Sequence, residues 1–327
     1  MQFLIPLLLL DTQSTSKING NQTLNLLSVE AVNKTKRTAL RKLNLLNIPR
    51  PYQKLTWICM LLSVQCYLIQ NTSWAASPVV WAFWQVAATE NDNKQAPVEH
   101  QDWQLFLDEF VIVLPNGRSV VAYKKVGEAA NNRLGKYIQS LTSIDPRSLS
   151  RPKQMAYWIN LYNALTVKVI LEHPGKDSIT NMGSALFSFG PWDDELANIA
   201  NRAVTLNDIE HRILRPIWGD HRIHFAVNCA AVSCPNLNAY AFSALNLNKM
   251  LDIAEKTYLR HPRALRFDDK GVLHLSSIFK WYRQDFATDE TQLLEYLAGV
   301  RTDIASKLTS YQGKIEYDYD WNLNSLE

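Results

Sequence analysis

The stretch MAYWINLYNALTVKVILE, Met155 to Glu172, constrains the chain most. It has helical length and good helix formers, and it is apolar on nearly every side, so a helix here must be surrounded by protein. His173-Pro174-Gly175 ends it. Its polar interruptions, Asn160, Asn163 and Thr166, recur every third residue and make a narrow stripe. Buried amides need hydrogen-bond partners. They either bind neighbouring backbone or line a polar pocket.

Shorter elements surround this helix. Asp102–Val113 reads as an amphipathic helix or a helix running into a strand, with Trp103, Phe106, Leu107 and Phe110 on one side. Pro115-Asn116-Gly117 is a turn, Ser119–Tyr123 a short strand, and Leu134–Leu141 has helical spacing. Thr205 can cap a helix over Thr205–Leu214 that Pro216 stops. The alternation in RIHFAVN, Arg222 to Asn228, predicts a strand with Ile223, Phe225 and Val227 on one face and His224 and Asn228 on the other. Phe242–Leu259 reads as a helix, and Leu265–Phe267 with Val272–Leu275 as a hairpin about Asp268-Asp269-Lys270-Gly271. Ser276 or Ser277 caps a helix through Asp285, and Thr291–Leu308 is helical. These elements predict an α+β fold: a single helix-rich domain with a small, mostly antiparallel sheet over residues 100–327.

The front of the chain has a different character. Arg50 and Lys54 precede the apolar run 55–69, LTWICMLLSVQCYLI, and a small-residue ending follows at Ser73-Trp74-Ala75. Those are the parts of a secretory signal, and the run is short of the roughly 20 residues a bilayer span needs. Residues 1–76 are therefore expected to be an extension plus signal peptide, with 77–99 a lead-in strand or tether. The chain is expected to be exported, in a bacterial periplasm, with no stable membrane span after cleavage. The bulky Gln65 argues against lipid attachment at Cys66. The leader also holds the basic excess. Residues 1–75 carry eight Lys and Arg against Asp11 and Glu30, so the overall balance of +3 leaves the body net negative. A nucleic-acid partner is not expected.

With Cys59 and Cys66 in the leader, sulfur chemistry falls to Cys229 and Cys234. A strand carrying His224 and Asn228 would deliver the chain into this small-residue loop, which suits a thiolate nucleophile needing a base and backbone donors. Cys234, off the apolar face, is the better nucleophile on this reading. Alternatively Cys229 is a buried small hydrophobe, or the pair closes a disulfide. Zinc on both cysteines and histidines is a further reading, although C-x₄-C lacks standard ligand spacing. Glu210-His211 could be an acid–base pair, but helix neighbours point about 100° apart. Arg283 and Asp285 read as an ion pair or cap. No nucleotide, EF-hand, zinc-protease or nucleophile-elbow signature stands in the body, and no cofactor is expected.

Six segments together resemble the DUF547 family: AYWINLYNALTVKVIL (156–171), FGPWDDEL (189–196), TLNDIEHRILRPIW (205–218), RIHFAVNCAAVSCPNL (222–237), LHLSSIFKWYRQDF (273–286) and YDWNLN (319–324). The family's usual Cys-Ala-Ser and Gly-Cys-Pro neighbourhoods stand here as Cys229-Ala230-Ala231 and Ser233-Cys234-Pro235. The resemblance implies that His224, Cys229, Cys234, Asn160, Asn163, Glu210 and His211 belong to the family motif, and that bacterial members are often exported. A distant likeness to transglutaminase- and papain-like thiol enzymes places a helix against a His-bearing strand, but there the cysteine opens the helix. The expected function is a ligand- or envelope-binding domain for a small molecule, peptide or envelope component. It would use Asn160, Asn163, Asn228, Glu210 and His211. The alternative is a thiol-dependent hydrolase or acyl-transfer enzyme using Cys234 or Cys229 with His224.

Overall fold

A computed structural model describes residues 78–89, 98–185 and 188–326. The expected signal segment and extension lie outside the described residues. Among those described, no helix is long and apolar enough to cross a membrane.

The apolar stretch forms helix α3, Arg151–Glu172, after α1 (Gln101–Phe110), the strand pair β1 (Val111–Val113) and β2 (Ser119–Val121), and α2 (Glu128–Thr142). α3 is buried along almost its whole length, as its pattern requires. Trp84 packs edge-on against Trp158, with ring centroids 5.2 Å apart, and Trp103 stacks on both Phe106 and Tyr137. The lead-in residues Ala82–Gln85 form a 3₁₀ turn rather than a strand, and Trp84 anchors them in the core.

The antiparallel pair β3 (Ala197–Ile199) and β4 (Arg202–Val204) follows, turning through left-handed Ala200 and Asn201. Beyond it, Thr205 and Asp208 cap one another. The Asp208 N–H donates to Thr205 Oγ1 at 3.0 Å, and the Thr205 N–H donates to Asp208 Oδ2 at 3.1 Å. The helix so started is not a regular α-helix, and Pro216 does not stop it. It is a π-helix over Asp208–Leu214, continued as α4, Arg215–Trp218. Proline cannot supply an N–H, and its ring crowds the carbonyl four residues back. The turn ahead of Pro216 is widened, with the Arg215 N–H reaching back five residues to Glu210 O. The widened turn buries Glu210 and His211 together.

The largest departure from the sequence expectation is at 222–228. These residues form no strand. His221–Phe225 is a 3₁₀ turn capped by Asp220, whose carboxylate accepts from the Arg222 N–H at 2.9 Å. A half-buried strand needs one wet face, whereas Ile223 through Asn228 are all buried. α3 meets their backbone with an amide: Asn163 Nδ2 donates to Ala226 O at 2.9 Å and Asn163 Oδ1 accepts from the Asn228 N–H at 2.8 Å. A side chain replaces the ladder a neighbouring strand would have supplied.

α5 spans Leu247–Arg260 and starts later than expected, because Asn160 has already taken both backbone groups of Phe242, at 2.8 and 3.0 Å. The expected hairpin forms as β5 (Leu265–Phe267) and β6 (Leu273–Ser276), with Gly271 in the left-handed conformation and β7 (Ile315–Asp318) parallel beside β6. The helix expected through Asp285 breaks at Tyr282 into α6 (Ile278–Trp281) and α7 (Arg283–Phe286), and the one expected through Leu308 breaks after α8 (Glu290–Val300) before α9 (Ala305–Thr309). Among the described residues the architecture is α+β, with two small antiparallel pairs and one mixed three-stranded sheet.

Candidate functional site

The end of the chain returns to the thiol loop. Asn324 N–H donates to Ala230 O at 2.7 Å, and Val232 and Ser233 N–H donate to Asn322 O and Asp320 O. That pairing brings Tyr319 and Trp321 beside Cys229, and together with the π-helix and the α6–α7 break it encloses a cavity of about 440 Å³.

One wall is aromatic. Phe189 stacks on Trp192 at 5.8 Å, Trp192 meets Trp321 at 5.7 Å, and Trp321 stacks on Trp281 at 5.6 Å and touches Tyr319 at 4.6 Å. Gly190 is obligatory in this wall: its φ is +78°, and a Cβ there would run into the Trp192 ring.

Glu210, His211 and His224 also line the cavity, and they rest on charged neighbours, Arg215 and Asp285, that do not line it themselves. Arg215 and Asp285 form a two-pronged pair, Nε to Oδ2 at 2.6 Å and Nη2 to Oδ1 at 3.1 Å. His224 Nε2 lies 2.6 Å from the same Asp285 Oδ2, its Nδ1 lies 3.6 Å from Glu210 Oε1, and its ring stacks on Tyr282 at 4.3 Å. Burial pushes the Asp285 and Glu210 carboxyls up. For Asp285 the hydrogen bonds from His224 and Arg215 win and hold it well below the usual carboxylate range. For Glu210 the charge His211 takes up in acid, a hydrogen bond from His224 and the Arg215 guanidinium win, and bring it down to about 2. Both are carboxylates at neutral pH. His211 Nδ1 faces Arg215 Nη1 at 3.1 Å. A guanidinium only donates, so Nδ1 accepts and the proton of the neutral ring sits on Nε2. Burial lowers the His211 pKa, which keeps the ring neutral.

The thiols sit opposite each other in the loop. Both line the cavity as free thiols, Cys229 half-buried and Cys234 buried. Ala230 between them takes a left-handed φ of 62°. Burial pushes the Cys229 thiol up, but hydrogen bonds from Cys234, the Tyr319 hydroxyl (3.3 Å) and the Ala231 N–H outweigh it, so Cys229 ionises below its ordinary value. Burial and the neighbouring sulfur push Cys234 the other way.

Of the residues singled out in the sequence, the cavity gathers Cys229, Cys234, His224, Glu210 and His211. It does not gather Asn160, Asn163 or Asn228. Asn160 and Asn163 are spent on backbone as described, and Asn228 joins Ala230 N–H (2.9 Å) to Pro235 O (2.6 Å) across the base of the thiol loop. His224 reaches the cavity from a 3₁₀ turn, not a strand, and both its nitrogens face carboxylates rather than sulfur. Asp285 pairs with Arg215, seventy positions away, rather than with Arg283. Among the described residues no group of three or more His, Cys, Asp and Glu side chains is arranged to hold a metal ion. The sequence reading missed Arg215, Tyr282, Tyr319, Trp192, Trp281 and Trp321. The FGPWDDEL, WYRQDF and YDWNLN segments marked their neighbourhoods but carried no spacing that assigns chemistry.

The geometry defines a class: a helix-rich α+β domain with one aromatic-walled cavity set over an Arg–Asp–His–Glu chain and a thiol loop. The sequence model of the family described as "Protein of unknown function, DUF547" matches residues 146–259, which cover α3, the π-helix and the thiol loop. That stretch of the chain belongs to the DUF547 family. Comparison with curated proteins and with solved structures gave no match.

Proposed function

We propose that this DUF547 domain is an exported ligand-binding domain whose cavity takes a small molecule or short peptide, including a component of the cell envelope. The carrying observation is the cavity itself, lined by a run of rings and by the polar side chains of Glu210, His211 and His224. Cavities of this size that combine apolar walls with a few placed polar groups suit small ligands. The charged neighbours support the same reading. Buried ion pairs contribute little net stability, and shifted carboxyls cluster where chemistry or recognition occurs. Glu210 keeps accepting capacity toward the cavity because its histidine neighbours stand at 3.6 and 3.9 Å.

Tryptophan fluorescence of the purified protein, titrated with a panel of short peptides and oligosaccharides, tests the reading. At least one probe class should saturate. For that probe Trp321→Ala and Glu210→Gln should each weaken binding roughly tenfold, about 1.4 kcal/mol. Unsaturable responses across the panel, or equal affinities in both variants, overturn it. Export is checked separately: N-terminal sequencing of protein recovered from the periplasm should begin near Ala76, and an intact Met1 there refutes cleavage.

A second reading, thiol-dependent hydrolysis or acyl transfer, draws support from the sulfur of Cys229 in the same cavity, with the His211 Nε2–H as the donor for a developing oxyanion. It predicts burst release of product from an activated thioester or ester, abolished in Cys229→Ala.

A further inference from the structure

The two thiols are more than a nucleophile and its neighbour. Both line the cavity but they differ in access, Cys229 being half-buried and Cys234 only 3% exposed. They touch: the Cys229 N–H donates to Cys234 Sγ at 2.9 Å. That contact limits the Cα–Cα separation to about 7 Å, the outer reach of a disulfide. The loop joining them is clamped at its base by Asn228, which holds Ala230 and Pro235 at once, and Tyr258 fixes its middle by donating to Ser233 O at 2.8 Å. A pair held this way is already in contact before any bond forms. A purely structural disulfide would not need one sulfur aimed into a cavity and supported there by a phenol and a backbone N–H.

We infer that Cys229 and Cys234 form a dithiol that exchanges with disulfides presented in the cavity, Cys229 attacking and Cys234 resolving. In the first step Cys229 thiolate bonds to one sulfur of the substrate disulfide, the S–S bond breaks, and the departing thiolate takes a proton from water. In the second, Cys234 gives its proton to solvent and attacks the Cys229 sulfur of the mixed disulfide, releasing the other substrate thiolate. The substrate disulfide is reduced by two electrons and the Cys229–Cys234 dithiol is oxidised by two; an external dithiol reverses the oxidation by the same exchange. Tyr319 acts as a positioning residue: burial keeps its phenol protonated, so it donates to the attacking thiolate. This activity goes beyond ligand binding and does not depend on it.

The reduced full chain, mixed with glutathione disulfide and quenched with acid and a maleimide, provides the test. Peptide mapping separates the 229–234 peptide from Cys59 and Cys66. The wild type should yield an internal disulfide and release both glutathione halves. Cys234→Ser should accumulate a mixed disulfide at Cys229 roughly tenfold over the wild type, and Cys229→Ser should leave Cys234 unmodified. Tyr319→Phe should move the pH profile of the attack upward, which a merely structural role would not. The inference is overturned if Cys234 reacts first, if Cys234→Ser accumulates no mixed disulfide, or if Cys229 reacts no faster than in the denatured chain. Circular dichroism confirms that each variant is folded. Because the fluorescence titration needs no thiol, its failure and the failure of exchange are separate results.

Discussion

Replacing Asp285 by Ala should lower the free energy of unfolding by about 3–5 kcal/mol, read as a fall in the urea midpoint at unchanged slope. The cost does not come from losing a favourable pair. The Arg215 side chain is only 4% exposed, so its charge has left water, and Asp285 meets it with two hydrogen bonds. Removing the carboxylate leaves that guanidinium buried with its principal counter-charge gone, and strips His224 Nε2 of its partner at 2.6 Å. Cutting one member of a buried pair leaves an uncompensated charge, and this is what makes the change costly. A drop below about 1 kcal/mol would show that water reaches Arg215 freely.

The same carboxylates set the acid limb of stability. Folded Asp285 and Glu210 both ionise below their unfolded values, Glu210 at about 2. The unfolded chain therefore binds more protons than the folded one on descending from the ordinary carboxyl range. Stability from these groups is fully present above about pH 4.5 and is lost as pH falls toward their folded values. Chemical denaturation between pH 6 and 2 should show that decline in the wild type and a shallower one in Asp285→Ala.

How much of this was legible follows from which forces act locally. Helix α3 announced itself because an all-round apolar pattern admits few other solutions, and the Asp268–Gly271 hairpin because its turn chemistry is local. The segment 222–228 misled because alternation is informative only when one face meets water. Here Asn163, from sixty-odd residues away, supplies the backbone partners that a strand would otherwise need. At 205–218 the cap was readable in Thr205 and Asp208, but the widened turn forced by Pro216 was not, and it is this turn that buries Glu210 and His211 side by side. The His224–Asp285–Arg215 chain joins Asp285 to two residues some sixty to seventy positions earlier, with no spacing to betray it. The thiol loop was recognisable as chemistry. Which sulfur is the more open was not, because that depends on the returning segment of Tyr319 to Asn324, which a parity argument cannot see.

Asn163→Ala should cost about 2–6 kcal/mol and also change the chemistry of a residue it does not touch. Its amide satisfies two buried main-chain groups, Ala226 C=O and Asn228 N–H, and each left unpaired costs roughly 1–3 kcal/mol. Those groups lead directly into Cys229, so loosening them frees the loop whose backbone supports the sulfur through the Ala231 N–H. The alkylation rate of Cys229 at fixed pH should therefore shift along with stability. Asn160→Ala is the control. It orphans the two groups of Phe242 in the same way and should be comparably destabilising, yet Phe242 does not lead into the thiol loop, so Cys229 should keep its rate. If both variants alter the rate equally, the change reflects global loosening. If only Asn163→Ala does, the amide stripe on α3 is the device that holds the reactive loop in place.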